Sequence, residues 1–171
     1  MHLEPPPDLS VGRFGWPSIY LVGVWLALLR ATRYYGGAVA LFGLVGTTGH
    51  EALHLLIGLM LGARPTSFSI LPRRQGDSWV LGSVGFTHLT IWNSAPVAYA
   101  PLLLAGIGWL VIRLWMQPAF LAGSYVSWAV AGYVAACCFF SCIPSTTDVK
   151  VGFLSSVLYG ALGYGLWRVG Q

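Results

Sequence analysis

The sequence predicts an all-α polytopic membrane protein with about five transmembrane helices and a small β-hairpin between the second and the third. Hydrophobic residues make up 56% of the 171 residues and charged residues only 8%, whereas a typical soluble domain is about 25% charged. Nearly every charge lies near the end of a long apolar segment, which is typical of a chain that crosses a bilayer several times. Glu51 is the acidic residue that departs from this rule.

Five apolar segments predict the five spans. They are residues 16–34, 38–61, 95–114, 119–140 and 149–169. The second segment would be about 36 Å long as a helix, which is enough to cross the hydrocarbon core with some tilt. Residues 1–15 form an N-terminal tail without the basic start and small-residue cleavage site of a signal peptide, so we expect the first span to be retained. Residues 16–171 form one membrane-embedded domain.

Residues 66–92 form an insertion of a different kind and predict a β-hairpin. Phe68 and Ile70 alternate with serines before a polar turn at residues 73–78, and apolar residues return in the stretch after that turn. Alternation with a period of two around a glycine-containing turn is typical of a hairpin. A hairpin with open edges cannot face lipid, so we expect this one to lie at the membrane surface or to line a cavity.

The net charge of +4 does not indicate nucleic-acid binding, because the arginines are spread over the predicted membrane borders. At those positions they set topology and contact lipid headgroups. Lysine and arginine are nearly balanced between the two predicted sides, which leaves the membrane orientation open. Cys137, Cys138 and Cys142 lie near the end of one apolar segment. Binding of a soft metal is one interpretation, and we prefer the other, that they are small packing residues.

Residues 50–54, with the sequence His-Glu-Ala-Leu-His, lie inside the second apolar segment. On a helix, His50 and His54 share one face and Glu51 lies beside them. Two imidazoles in this arrangement can hold a zinc ion, and Glu51 is then the general base that takes a proton from the attacking water. Ionisable groups are costly in hydrocarbon. We therefore prefer metal binding to the alternative in which the two histidines only make hydrogen bonds between helices.

A catalytic zinc site requires a third protein ligand, and the sequence offers Asp148, His88 and Asp77. Asp148 is favoured because the second span ends on the side of the membrane where the fifth begins. The centre of the motif lies about 14 Å below that end of the second span, so residues 141–148 must approach inward. The alternative role of Asp148 is that of a first-turn helix acid. Asn93, which opens the third span, could either cap that helix or orient substrate.

The chain resembles the site-2 proteases, a family of intramembrane zinc metalloproteases. The likeness lies in residues 50–54, in the β-like stretch after them, in residues 93–96 (Asn-Ser-Ala-Pro) and in the proline-containing loop that ends at Asp148. It implies that His50, His54 and Asp148 ligate zinc and that Glu51 is the base. Family members usually have Leu before and Gly after the ligand aspartate, whereas Asp148 lies between Thr147 and Val149.

Motif and resemblance together predict a zinc metalloendopeptidase that hydrolyses a peptide bond in or near a transmembrane segment, as in regulated intramembrane proteolysis. The expected cofactor is Zn²⁺, and the expected partners are a membrane-anchored protein substrate and the lipid bilayer, without nucleic acid. We expect a multi-pass protein of a bacterial or archaeal cell membrane. The alternatives are a catalytically inactive, metalloprotease-like membrane subunit that binds a partner, and a metal transporter. The oligomeric state stays open.

Overall fold

The computed structural model describes residues 15–32, 42–71, 73–75, 78–80 and 82–171. The fold is mostly helical with a small antiparallel β element, which confirms that part of the predicted fold class. Residues 1–14 of the predicted tail lie outside the described residues.

The helices follow one another along the chain with short connections after the β element. They are α1 (Trp16–Thr32), α2 (Leu44–Met60), α3 (Ser94–Ala98), α4 (Leu103–Val111), α5 (Gln117–Leu121), α6 (Tyr125–Ser141) and α7 (Thr146–Val169). A 3₁₀ turn at Ala100–Leu102 precedes α4, and a π turn at Ile112–Met116 joins α4 to α5. Residues 100–121 therefore form one continuous helical rod.

Each of the five predicted apolar segments contains a helix, but the described residues do not show five spans. Two helices, Ala100–Leu121 and Thr146–Val169, are long and apolar enough to cross a membrane. Helices α1 and α6 are apolar but have only 17 residues, and α2 has the same length. A helix of that length is about 26 Å long, slightly short of a hydrocarbon core of about 30 Å.

The border between the third and fourth segments lies later than the sequence predicts. We expected a break between residues 114 and 119, but the rod continues to Leu121 and the turn lies at residues 122–124. Pro118 is the reason for the difference. A proline inside a regular α-helix loses a hydrogen bond and clashes with the carbonyl four residues earlier. Here the π turn precedes it, and Pro118 lies in the first turn of α5, where its missing N–H is tolerated.

Helix α6 lies at the centre of the helical packing and contacts α1, α2 and α4. Its buried face consists largely of small residues, which let neighbouring helices approach closely. These are Ala131, Gly132, Ala135, Ala136, Cys137 and Cys138. Hydrogen bonds add to the contact with α1, since the Trp25 indole donates to the Ala129 carbonyl at 3.1 Å and the Trp128 indole donates to the Ser18 hydroxyl at 3.0 Å.

The predicted hairpin is present between α2 and α3. Strand β1 (Pro65–Ser69) pairs antiparallel with β4 (Ser83–Phe86), and β2 (Arg73–Gln75) pairs antiparallel with β3 (Ser78–Val80). The innermost pair is Gln75 with Ser78, so the ladder extends into the region that we predicted as a turn, and Asp77 lies outside the described residues. The chain leaves α2 at Gly62, which has a positive φ of 69°, and the Ala63 N–H donates back to the Gly58 carbonyl at 2.8 Å. Arg64, just before β1, also has a positive φ, of 53°.

Strand β4 lies along α2. At one end the Phe86 ring occupies the space where a side chain at Gly58 would be, and just before the other end Gly82 packs on the Glu51 side chain. Glu51 and Gly58 are seven residues apart, about 10 Å along the helix. The hairpin therefore extends back along α2 as far as the His-Glu-x-x-His motif.

Substitution of Gly46 by alanine tests the contact between α2 and α6. A Cβ atom at Gly46 would overlap the Ser141 side chain and lie 2.7 Å from the Cys137 carbonyl oxygen. We expect Gly46→Ala to destabilise the protein by about 1–3 kcal/mol, as overpacking does, and to lower the melting temperature measured in detergent. Gly23→Ala in α1 is the control, because a Cβ there meets nothing within 4 Å. Equal melting temperatures for the two variants would contradict this packing.

Candidate metal centre

The two histidines of the motif lie one turn apart on α2 and face each other. Their ring centroids are 4.8 Å apart with an angle of 72° between the ring planes. The two Nε2 atoms are 3.2 Å apart. The helical spacing that the sequence predicts thus places the two Nε2 atoms next to each other.

A backbone carbonyl fixes the orientation of each ring. The Nδ1 atom of His50 lies 2.7 Å from the Ser141 carbonyl oxygen at the end of α6, and the Nδ1 atom of His54 lies 2.8 Å from the Val97 carbonyl oxygen in α3. A carbonyl oxygen can only accept, so each Nδ1 donates its N–H and the Nε2 atom of a neutral ring keeps a lone pair. Metal-binding histidines are commonly oriented in this way.

Asp148 reaches the two histidines, as the sequence predicts. Its Oδ2 atom is 3.5 Å from His50 Nε2, and its Oδ1 atom is 3.3 Å from His54 Nε2. Asp148 is the third residue of α7, and it meets α2 about 9–15 Å before the end of that helix. The segment between α6 and α7 therefore brings Asp148 to the middle of α2, while the depth in a membrane stays a prediction.

The same carboxylate also caps α7. The backbone N–H of Ser145 donates to Asp148 Oδ2 at 2.6 Å, and the Asp148 N–H donates to the Ser145 hydroxyl at 3.2 Å. This is a capping box, in which two orphan N–H groups of a helix start are satisfied reciprocally. The sequence left two roles for Asp148 as alternatives, that of a first-turn helix acid and that of a partner of the histidines. Its side chain does both.

These three residues are close enough to bind a metal ion. One ligand atom from each residue can be chosen so that all three lie within 4.8 Å of one another. The shortest contacts are 3.2 Å between the two Nε2 atoms, 3.3 Å between His54 Nε2 and Asp148 Oδ1, and 3.5 Å between His50 Nε2 and Asp148 Oδ2. Two ligands of a tetrahedral zinc ion are separated by about 3.3 Å, because each zinc–nitrogen bond is about 2.0–2.1 Å long. Two lone pairs and a carboxylate that face one another are stabilised by a cation among them, which is either a proton on one Nε2 atom or a metal ion. Spacing and donor chemistry both fit a metal.

Glu51 lies beside this group without belonging to it. It is 9% exposed, and its side chain packs on Gly82, where a Cβ atom would come within 2.6 Å of Glu51 Cγ and 2.9 Å of Oε1. The close approach of the strand thus depends on the absence of a side chain at Gly82. Glu51 thus lies beside the candidate ligands, in contact with the residue before β4, and a general base would have to occupy such a position.

The other residues that the sequence singled out lie apart from this centre. Within the part of the chain that the structure describes, His50, His54 and Asp148 are the group that could hold a metal. His88 is exposed, and its backbone N–H donates to the Ala63 carbonyl. The cysteines agree with packing roles, since Cys137 and Cys138 are buried and the Cys142 thiol donates to the Phe139 carbonyl at 3.1 Å.

Asn93 ties the base of the hairpin to the end of α2. Its side-chain amide donates to the carbonyls of Leu61 and His88 at 3.3 and 3.1 Å, and its Oδ1 atom accepts from the Thr90 N–H at 2.7 Å. It occupies the residue before α3 but makes no side-chain capping bond to that helix. Three backbone partners indicate a structural role for Asn93, and substrate binding by it stays a prediction.

Sequence reasoning missed three contributors to the site. Two are the backbone carbonyls of Ser141 and Val97, which any residue type could supply, so no sequence signal marks them. The third is Gly82. A glycine within the predicted hairpin indicates a close backbone approach, and that signal was available.

Comparisons of the chain with protein-family models, with curated proteins and with solved structures give no match.

Proposed function

We propose that this chain is an intramembrane zinc endopeptidase of the site-2 protease type, which hydrolyses a peptide bond in or near a transmembrane segment of a membrane-anchored protein. The observation that supports it most is the convergence of His50 Nε2, His54 Nε2 and the Asp148 carboxylate next to Glu51. Two histidines and one carboxylate are a ligand set of zinc hydrolases that leaves a position open for chemistry.

A location within the membrane is the second part of the proposal. Two helices are long and apolar enough to span a bilayer, and many large apolar side chains of α1, α4 and α7 are exposed, among them Trp16, Leu110 and Leu166. Contiguous exposed apolar surface of this extent is unfavourable in water and favourable in lipid. We propose that α1, α2, the rod at residues 100–121, α6 and α7 all cross the cell membrane.

Within this mechanism each site residue has a distinct task. Zinc, when bound, supplies a Lewis acid that polarises the scissile carbonyl and acidifies water. The Nε2 atoms of His50 and His54 and the Asp148 carboxylate hold the ion. Glu51 takes a proton from the attacking water and later passes it to the leaving amine. His50 side-chain exposure is 14% and that of Asp148 is 17%, so the chain does not fully enclose this side of the site.

The hairpin is the proposed substrate-binding element. A helical peptide bond is shielded, so a transmembrane substrate must unwind before it is cut. An unwound segment can add to the edge of a sheet by backbone hydrogen bonding. Gly82, next to β4, touches Glu51, so a strand added to this hairpin would lie beside the general base.

Metal analysis tests the centre directly. We expect the protein, purified in detergent, to contain one zinc ion per chain by mass spectrometry of the metal. His54→Ala is expected to weaken zinc binding by more than about 100-fold. Loss of a residue that only hydrogen-bonds to a metal ligand costs up to about 100-fold, and loss of the ligand itself should cost more. His88→Ala is the matched control and should bind zinc like the wild type, because His88 lies outside the cluster. A wild-type protein that binds no zinc would refute the proposed centre.

Glu51→Gln separates catalysis from metal binding. The substitution keeps the size of the side chain and removes its basicity, so we expect unchanged zinc content and a fall in cleavage rate of about 100- to 10,000-fold. The assay follows end-labelled single-span membrane proteins in proteoliposomes with the purified chain. Equal cleavage by wild type and Glu51→Gln would rule out Glu51 as the base. A zinc-loaded wild type that cleaves no member of a broad substrate panel would support the inactive-subunit alternative instead.

A further inference from the structure

The C-terminal helix α7 contacts the rest of the protein along one narrow stripe. Asp148, Gly152, Ser155 and Tyr159 are spaced by four, three and four residues, which places them on one face of a helix. Only 11% of its most apolar stretch is buried. The position of α7, and with it the position of the metal ligand Asp148, therefore depends on a few contacts.

These contacts join α7 to the short helix α3. Gly152 packs closely on Ala98, since a Cβ atom at Gly152 would lie 2.8 Å from the Ala98 Cβ atom. Further along, the Tyr159 hydroxyl donates to the Trp92 carbonyl. Gly152 meets Ala98, whereas the later residue Tyr159 meets the earlier residue Trp92. The two helices therefore run antiparallel. The stripe sets the height of α7 relative to α3.

Ser155 makes the polar contact at the centre of the stripe. Its side chain is fully buried, and its Oγ atom accepts the backbone N–H of Ala95 at 3.2 Å. The first N–H groups of a helix lack partners within that helix. In α3, Ser94 and Val97 donate to preceding carbonyls, and Pro96 has no N–H. The hydroxyl of Ser155 thus satisfies the remaining N–H, so that α7 provides a cap for α3.

Helix α3 in turn orients the histidine that faces Asp148. The Val97 carbonyl, two residues after Ala95, accepts the Nδ1–H of His54. Ser155 lies two turns after Asp148, about 10 Å along α7. One hydroxyl therefore links the helix that holds His54 in orientation with the helix that bears Asp148.

We propose that Ser155 is a positioning residue of the metal centre, which keeps the Asp148 carboxylate within reach of His50 and His54 by fixing α7 on α3. It touches neither the metal nor the substrate and acts through Asp148. This inference rests on the metal centre proposed above. Without the hydroxyl, the Ala95 N–H is left without a partner in a buried contact, and only the contacts of Gly152 and Tyr159 hold α7 in place on this face.

Zinc and cobalt binding by the full-length protein in detergent test this role. We expect Ser155→Ala to weaken Zn²⁺ affinity about 10- to 100-fold, the range seen for partners that orient metal ligands. It should also change the visible absorption spectrum of bound Co²⁺, which reports the ligand set. Ser155→Thr, which keeps the hydroxyl, should retain both. Ser156→Ala is the matched control, because the Ser156 hydroxyl donates within its own helix to Gly152.

A double-mutant cycle with Asp148→Asn distinguishes positioning from general destabilisation. If Ser155 acts through Asp148, adding Ser155→Ala to Asp148→Asn produces no further loss of Zn²⁺ affinity. A further loss equal to that seen in the wild type, or an unchanged Co²⁺ spectrum and Zn²⁺ affinity in Ser155→Ala, would overturn the inference while leaving the zinc centre intact. Should Ser155→Ala fail to fold, Ser155→Val replaces it and is compared with Ser155→Thr, which has the same shape and keeps the hydroxyl. Failure of the wild type to bind Zn²⁺ would instead overturn the proposed function and this inference together.

Discussion

The arrangement of the site depends on the two hydrogen bonds that orient the histidine rings. Each Nδ1 atom donates to a backbone carbonyl, one at the end of α6 and the other in α3, and this leaves both Nε2 atoms facing the Asp148 carboxylate. Neither carbonyl belongs to α2, so the rings are oriented correctly only when α3 and α6 both pack on that helix. The small residues of α6 contribute to this orientation. They let α2 pack closely on α6, and this brings the Ser141 carbonyl within hydrogen-bond distance of His50. The orientation of the two imidazole rings thus depends on how the surrounding helices pack.

Polar groups in an apolar chain explain why so many roles are shared. At the proposed location in a membrane, a charged residue at the centre of a helix would cost about 2.5–3.5 kcal/mol on insertion scales. An uncharged polar group that is buried without a hydrogen-bond partner is also costly. Asp148 caps α7 and faces both histidines, and Ser155 completes the start of α3 while it fixes α7. Asn93 similarly satisfies three backbone groups with one side chain. Because each of these side chains contacts more than one element, the hairpin, α3 and the candidate metal centre are coupled to one another.

The sequence predicted which side chains meet at the centre better than it predicted the surroundings of the centre. Residues 50–54 and Asp148 have functional groups with few uses in an apolar span, so their types and spacing indicate a common site. The hairpin was predictable from alternation around a polar turn. Its course along α2 was not, because that depends on the contact of Phe86 with Gly58, a pairing of two residues far apart in the chain. The end of the rod at Leu121 was missed since a π turn removes the usual effect of Pro118. Backbone carbonyls cannot be predicted from residue type at all.

The exposure of α7 has a consequence for metal binding. Because α7 packs on the rest of the protein along one stripe only, few buried contacts oppose its separation. Regions with few buried contacts unfold locally most readily. Asp148 lies at the start of this helix and the two histidines lie on α2, so a metal bound by all three would join α7 to α2 directly. A ligand that binds only when these side chains are together stabilises the structure in which they are together. The ion of the proposed chemistry would therefore also strengthen the contact of α7 with α2, in addition to the contact that Ser155 makes with α3.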